Sequence, residues 1–236
     1  VCACGGRLHF GWSIDSFRGR GGHQYAHHRG DLLAGHPAMI EPPMDSFDLA
    51  EMDVELGGTP FARNLRYFPT IHSTNSFAMQ QAADGAPEGM VYFADEQTAG
   101  RGRGSHTWHS AAGSGLYMSV VLRPRLAPAD VLWLSLAAGL AVRSAVRQVT
   151  TLEADLRWPN DLLLRGKKFC GVLTELNAEV TRVRHAVVGV GINVHQEKFP
   201  AELAATATSL QIETGRHWPR QALLAVLLKE LHAEEE

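Results

Sequence analysis

The run Gly100-Arg101-Gly102-Arg103-Gly104-Ser105-His106-Thr107-Trp108 concentrates residue types that can handle anions. Alternating glycines let backbone N–H groups come close to an anion. Alternating arginines add planar forks of donors that suit a carboxylate or a phosphate. The spacing is not G-x-G-x-x-G, no helical pattern follows it, and the Lys-Ser/Thr of a P-loop is missing. Composition alone would also fit a flexible solvated loop. This loop, however, lies between two apolar strands and ends on an aromatic residue.

Three further segments could contribute chemistry. Arg157-Trp158-Pro159-Asn160-Asp161 makes a corner before Leu162-Leu163-Leu164, where Asp161 could face a divalent ion or ribose hydroxyls; an ordinary Asx turn is the plainer reading of these residues alone. Lys168 opens an apolar strand with Gly171 three residues in, and a strand glycine often marks the close approach of a ligand. A lysine at that edge can neutralise charge in acyl or phosphoryl transfer, although a surface hairpin lysine is the plainer alternative. Cys170 reads as a small core residue with nothing nearby to activate its thiol. Gly189-Val190-Gly191-Ile192-Asn193 ends a buried strand, so backbone there can pack against a flat ligand.

The elements that must position these residues follow from the pattern. Strands are expected over 66–71, 90–94, 116–122, 155–158, 162–164, 169–176 and 184–190. Ser73-Thr74-Asn75 can cap a helix to about 83. Pro128-Ala129-Asp130 opens a long apolar helix to about 148, whose Leu132, Leu136, Leu140 and Val142 suit a buried face. A closing helix is expected over 218–232. Strands in adjacent runs argue for an α+β fold, a mixed or antiparallel sheet with helices packed on it.

Composition bounds the rest. The 236 residues are 45% hydrophobic and 20% charged, with a formal charge of −3. A chain this long can bury about 70% of its unfolded surface without a disulfide or metal staple. The charge balance excludes holding nucleic acid by bulk charge alone. No apolar run approaches the ~20 residues of a membrane span, so no transmembrane helix is expected. No secretory signal opens the chain. Three scattered cysteines suggest a reducing, cytoplasmic setting. Residues 1–43 hold five of the twelve histidines and show no periodicity; they read as a disordered leader that need not be native. Cys2, Cys4, His23, His27 and His28 lack zinc-ligand spacing. The acidic stretch 41–55 reads as a short solvated helix start within a catalytic domain spanning 44–236.

The motifs are modest singly, but their order is specific. Ser73-Thr74-Asn75, Gln97, Gly100-Arg101-Gly102-Arg103 with Trp108-x-Ser110, Trp158-Pro159-Asn160-Asp161, Lys168-x-x-Gly171 and Gly189-x-Gly191-Ile192-Asn193 resemble the biotin–protein ligase family over roughly residues 65–195. The resemblance implies a mixed sheet related to class II aminoacyl-tRNA synthetases and lipoate ligases. It implies activation of biotin by Mg²⁺ and ATP to biotinyl-5′-AMP, and transfer to a lysine of a biotin carboxyl carrier domain. Ser73, Thr74 and Gln97 would hydrogen-bond the ureido ring, with Asn75 and Gly100 also on the biotin side. Gly171 and Gly189 would supply flat walls. Arg101 and Arg103 would clamp the biotin carboxylate and the AMP phosphate, and Lys168 would sit between the two. Trp108 would cover the adenine and Asn193 bind it. His106 would meet the pyrophosphate, while Asn160 and Asp161 would lie by the nucleotide, Asp161 near its metal.

The chain departs from the family pattern. Gly104-Ser105-His106 stands where the family loop often continues Arg-Gly-Arg/Lys. No helix-turn-helix pattern precedes the catalytic domain, so a DNA-binding repressor is not expected. The small C-terminal β-barrel of many members is not visible in the sequence. Lipoate or octanoyl transfer on the same scaffold, and a non-catalytic binder of biotin or its adenylate, are the rival readings. The oligomeric state and the base that deprotonates the acceptor lysine stay open.

Overall fold

A computed structural model describes residues 46–235, so the expectations placed on residues 1–43 lie outside the described residues. Its centre is β3, Gly115–Leu122, buried along its whole length. A strand apolar on both faces can only sit between two neighbours and two covering layers. The neighbours are β2 (Val91–Gln97) and β7 (Val183–Asn193). Beyond them lie β1 (Leu65–Ile71) on one side, and β6 (Lys167–Ala178), β5 (Asp161–Leu164) and β4 (Asp155–Arg157) on the other. The seven-stranded order is β1-β2-β3-β7-β6-β5-β4. Only β1 and β2 run parallel. That pair is joined through α2 (Thr74–Ala83), as a parallel crossover requires. Pro69 sits in β1 at the sheet edge, where a missing N–H costs nothing.

The two faces are covered differently. One carries α3 (Leu132–Thr150) and α5 (Arg220–Glu235), which pack on each other and on the sheet. Val91, Phe93, Leu116, Met118, Val190 and Ile192 point into that core. The short α1 (Leu49–Glu55) adds Met52 and Leu56, and Asp48 caps it by accepting from Ala50 N and Glu51 N. The other face carries α2, packed on Tyr92, Val121 and Val187. Since strand side chains alternate, Ser119, Gly189 and Gly191 share this second face, with Ser119 and Gly189 under the first turn of α2.

Several expectations need correction. In α3 the buried stripe runs through Ser135, Ala138, Gly139, Ala141, Val142, Ala145 and Val146. Leu132 is exposed, and Leu136 and Leu140 are half-buried. The helix lies so close to the sheet side that a Cβ on Gly139 would stand 2.7 Å from Leu156 Cδ1, which selects small residues for the contact. The segment Pro128–Thr150 is also long and apolar enough to cross a membrane by length and hydropathy alone, contrary to expectation. Here its apolar residues form the central core helix. β7 continues through its glycines to Asn193 instead of ending at 190, because Gly191, Ile192 and Asn193 pair with Tyr117, Leu116 and Gly115. A five-residue helix, α4 (Leu210–Thr214), capped by Ser209 and ended by Gly215, was not anticipated.

Candidate active site

The site begins with an absence of side chains. Gly171 and Gly191 are direct partners across β6 and β7, and Gly189 lies two residues further on the same face. They leave bare backbone on which Trp108 and Asn75 rest. A Cβ would fall 2.5 Å from Trp108 Nε1 at Gly191, 2.9 Å from Trp108 Cζ3 at Gly171, and 2.5 Å from Asn75 Oδ1 at Gly189. All three positions therefore require glycine for close approach.

Around this floor runs a chain of polar contacts. Ser73 caps α2, accepting from Ser76 N, and the following Thr74 and Asn75 are buried beneath the helix start. Thr74 donates from its backbone N (2.8 Å) and its hydroxyl (3.1 Å) to Gln97 Oε1. Ser119 Oγ lies 2.9 Å from Thr74 Oγ1 and 3.1 Å from Asn75 Oδ1. Asn75 Nδ2 donates to Glu175 Oε2 at 2.6 Å. Gln97 Nε2 donates to Ser110 Oγ, which in turn donates to the Trp108 carbonyl.

The glycine–arginine loop closes over this ring as a narrow hairpin. Trp108 N donates to the Gly100 carbonyl and Gly102 N to the His106 carbonyl, each at 2.8 Å. The turn passes through Gly104 at φ +66°. Gly100 has no room for a side chain, since a Cβ would meet the Trp108 carbonyl at 2.5 Å. Arg101 forms a bidentate pair with Glu175, its Nη1 at 2.9 Å from Oε2 and its Nη2 at 2.8 Å from Oε1. Its fork is thus spent on a protein carboxylate, a partner the sequence reading did not foresee. Arg103 reaches the same cavity with no side-chain hydrogen bond or ion pair among the described residues.

Two adjoining cavities share this region. The smaller, about 40 Å³, is lined by Ser73, Thr74, Asn75, Gln97, Arg101, Arg103, Asn160, Gly171 and Gly189. The larger, about 410 Å³, is lined by His106, Arg157, Asp161, Asn193 and apolar residues from Phe199 to Ala207. Trp108 and Lys168 belong to both. Lys168 Nζ lies 2.7 Å from Asp161 Oδ1 and 5.3 Å from the centre of the Trp108 ring. The Asn160–Asp161 corner is pinned to β6, where Val172 N donates to the Asn160 carbonyl and Asn160 Nδ2 to the Val172 carbonyl. Asn193 donates to the Thr208 carbonyl and accepts from Gln196 Nε2. Each end of its amide keeps one further bonding position for a ligand. Trp108 Nε1 is a buried donor with no hydrogen-bond partner among the described residues, so the shared wall keeps one polar group to offer.

Charge supports anion binding. The chain is net negative, yet Arg101, Arg103, Arg157 and Lys168 line these cavities against one lining carboxylate, Asp161. A concave, cationic site focuses potential on an anionic ligand. Cys170 points into the opposite core, fully buried, and burial pushes its thiol pKa far up, so it is no nucleophile. All the sequence-derived site residues thus gather here, except that Gly100 lines a neighbouring cleft with Gln97, Trp108 and Ser110. Glu175, Ser119 and Ser110 were missed as members of the network. Ser110 stood in the Trp108-x-Ser110 motif without a role, and Glu175 follows Gly171 and Leu173 at strand spacing on one face; Ser119 carried no signal.

The mixed sheet, whose glycine-rich face joins a polar pocket to a cationic cavity, has the fold of a family of ligases: the chain belongs to the biotin/lipoate A/B protein ligase family, whose model matches residues 67–193. It is 40% identical over 184 residues to the bifunctional ligase/repressor BirA of Bacillus spizizenii, covering 76% of this chain and 57% of that protein. It is 38% identical over 200 residues to the biotin–[acetyl-CoA-carboxylase] ligase of Mycobacterium tuberculosis, covering 82% and 71%. Among solved structures, the biotin protein ligase of Aquifex aeolicus in complex with biotin and ATP superposes with a TM-score of 0.64 at 35% identity, over 73% of this chain and 70% of that one. The chain therefore spans little more than half the length of the BirA relative. The mixed sheet with packed helices is the architecture of these ligase structures.

Proposed function

We propose that this chain activates biotin with ATP, giving biotinyl-5′-AMP and pyrophosphate, and then passes the biotinyl group to a lysine of a biotin carboxyl carrier domain. The observation that carries this reading is the shared wall: Lys168 and Trp108 line both cavities, so a group bound in one would meet a group bound in the other at Lys168. The smaller cavity offers Ser73, Thr74, Asn75 and Gln97 to an uncharged polar head such as the ureido ring. The larger one has the volume of an ordinary ligand site, in the range of about 300–1,000 Å³. Names of similar proteins, a BirA and two biotin ligases, point the same way.

The chemistry asks for what these residues provide. A biotin carboxylate oxygen bonds to the α-phosphorus of ATP as the bond from that phosphorus to pyrophosphate breaks. Two anions are brought together, so the step needs fixed positive charge at the bridge more than a proton shuttle. Arg103, unpaired among the described residues, and Lys168, shared with Asp161 at 2.7 Å, supply it, while Arg101, held by both oxygens of Glu175, serves to hold the loop. In transfer, the acceptor amine bonds to the acyl carbon, the bond to AMP breaks and the amine loses a proton. Neither a histidine nor a carboxylate lines the smaller cavity, which leaves the departing phosphate as the nearest acceptor.

Magnesium fits this site as part of the substrate. Among the described residues no group of three His, Cys, Asp or Glu side chains could hold a resident ion. Mg²⁺ usually keeps several waters and binds through one or two carboxylates together with substrate phosphates. Asp161 is the lining carboxylate that would take that part, sharing itself with Lys168 at 2.7 Å, and the ion would arrive on ATP. The smaller cavity, about 40 Å³, has room for a few waters, and we infer that the loop from Arg101 to Trp108 shifts to admit biotin. A free, buried Cys170 suits the reducing cytoplasm that we infer as its setting.

The test is direct. The chain, biotin, ATP, Mg²⁺ and an apo carrier domain are incubated, and the carrier is weighed by mass spectrometry. One added biotinyl group, with no change when lipoate replaces biotin, supports the reading. A lipoylated carrier, or bound adenylate without transfer, contradicts it.

A further inference from the structure

Glu175 closes the 166–176 segment without a role assigned to it from sequence, yet it is the point where the loop meets the sheet. It sits on β6 opposite Val187, and its side chain is 24% exposed. Both of its oxygens receive a terminal nitrogen of Arg101, and Oε2 also receives Asn75 Nδ2. From Glu175 the contacts run through Asn75, Ser119, Thr74, Gln97 and Ser110 to the Trp108 carbonyl. The path leaves the loop at Arg101 and returns to it at Trp108 after encircling the smaller cavity. Only the link at Glu175 is a salt bridge, and its fork-to-carboxylate geometry is the strongest type of contact in the ring.

We propose that Glu175 is the positioning residue that, through Arg101 and Asn75, holds the loop closed over the smaller cavity and so governs how long biotin stays bound. The proposal rests on the reading of this cavity as the biotin pocket. Glu175 touches neither the Lys168 region nor the larger cavity, so its loss acts on retention rather than on the chemical step. Among the described residues the other side-chain contact of Arg101 is the 3.4 Å one to Ser76 Oγ, so without the charge of Glu175 its hold weakens and the loop opens more often.

The experiment uses the full chain, with Glu175→Gln as the near-isosteric neutral variant and Glu175→Asp as the conservative one. Limited trypsin digestion without ligand reads loop opening as cleavage after Arg101. Stopped-flow chase of bound biotin reads retention, and pyrophosphate release at saturating biotin reads chemistry. Because Arg101 is nearly half-exposed, solvent moderates the effect. Glu175→Gln should raise both the cleavage rate and the biotin dissociation rate about threefold to tenfold. Pyrophosphate release at saturation should change less than biotin dissociation does, and Glu175→Asp should fall in between. Should Glu175→Gln fail to fold, Glu175→Asp carries the same three readouts. Unchanged cleavage overturns the proposal, as does a fall in saturated pyrophosphate release with unchanged biotin dissociation. If the parent binds no biotin, the pocket assignment fails instead, and the cleavage arm still decides whether Glu175 holds the loop.

Discussion

The indole of Trp108 lies on the backbone of Gly191, so close that a Cβ at that position would stand 2.5 Å from Nε1. The wall between the two cavities therefore depends on a residue with no side chain. Gly191→Ala should push the indole off the wall and weaken ATP binding by about tenfold, a loss of about 1.4 kcal/mol. The melting temperature should move little, because the ring can swing toward solvent. Calorimetric titration of ATP into parent and variant checks this, and equal affinities would contradict it.

The segment before β1 belongs to the core. Phe47 packs edge-on against Phe93, and Met52 and Leu56 are fully buried. Burying each such side chain contributes about 1.5–3 kcal/mol. A form beginning at Gly58 should therefore melt well below one beginning at Met44, by ten degrees or so on the usual scale of a few degrees per kcal/mol. Matching melts would show that α1 packs too loosely to matter.

Burial, and then the charges of Arg123 and Arg184, hold the His185 imidazole below its usual pKa of 6.5. The folded chain thus binds fewer protons at this ring than the unfolded chain does. No penalty exists above about pH 6.5; it grows as pH falls from there toward the folded value, at no more than about 1.4 kcal/mol per pH unit. His185→Gln removes the titration. Between about pH 7 and pH 5.5 the parent should lose more melting temperature than the variant. Parallel losses would show that His185 does not drive the acid sensitivity.

Much of this molecule was legible because apolar runs bounded by turn residues announce buried strands. The run from Leu116 to Leu122 became the central strand, and Ser73 became the cap it was read as. What failed were the places where contact overrides pattern. Leu132 and Leu136 looked like a helix face, but the close approach of α3 to Leu156 gave the buried stripe to small residues. The strand expected to stop at 190 runs on to Asn193, although the bare backbone at Gly189 and Gly191 stands as read. α4 is too short for any periodicity; only Ser209 and Gly215 flag its ends. The motif residues could be found in the sequence, but their partners could not. Nothing in Leu-Thr-Glu-Leu says that Glu175 meets Arg101, since that pairing depends on a loop 74 positions away folding back across the sheet.

The central claim is that Lys168 and Arg103 carry the charge of the reacting bridge while the ureido end is held elsewhere. Removing one contact that strengthens in the transition state costs about 10²–10³ in rate. The deciding measurement is biotin-dependent pyrophosphate release by the parent, Lys168→Ala, Lys168→Arg and Arg103→Ala, beside calorimetric biotin affinity for each. The account predicts a fall of about 10²–10³ for both alanine variants, partial recovery with Lys168→Arg, and only a modest change in biotin affinity. Pyrophosphate release by Lys168→Ala at the parent rate would contradict it, leaving Lys168 an ordinary partner of Asp161.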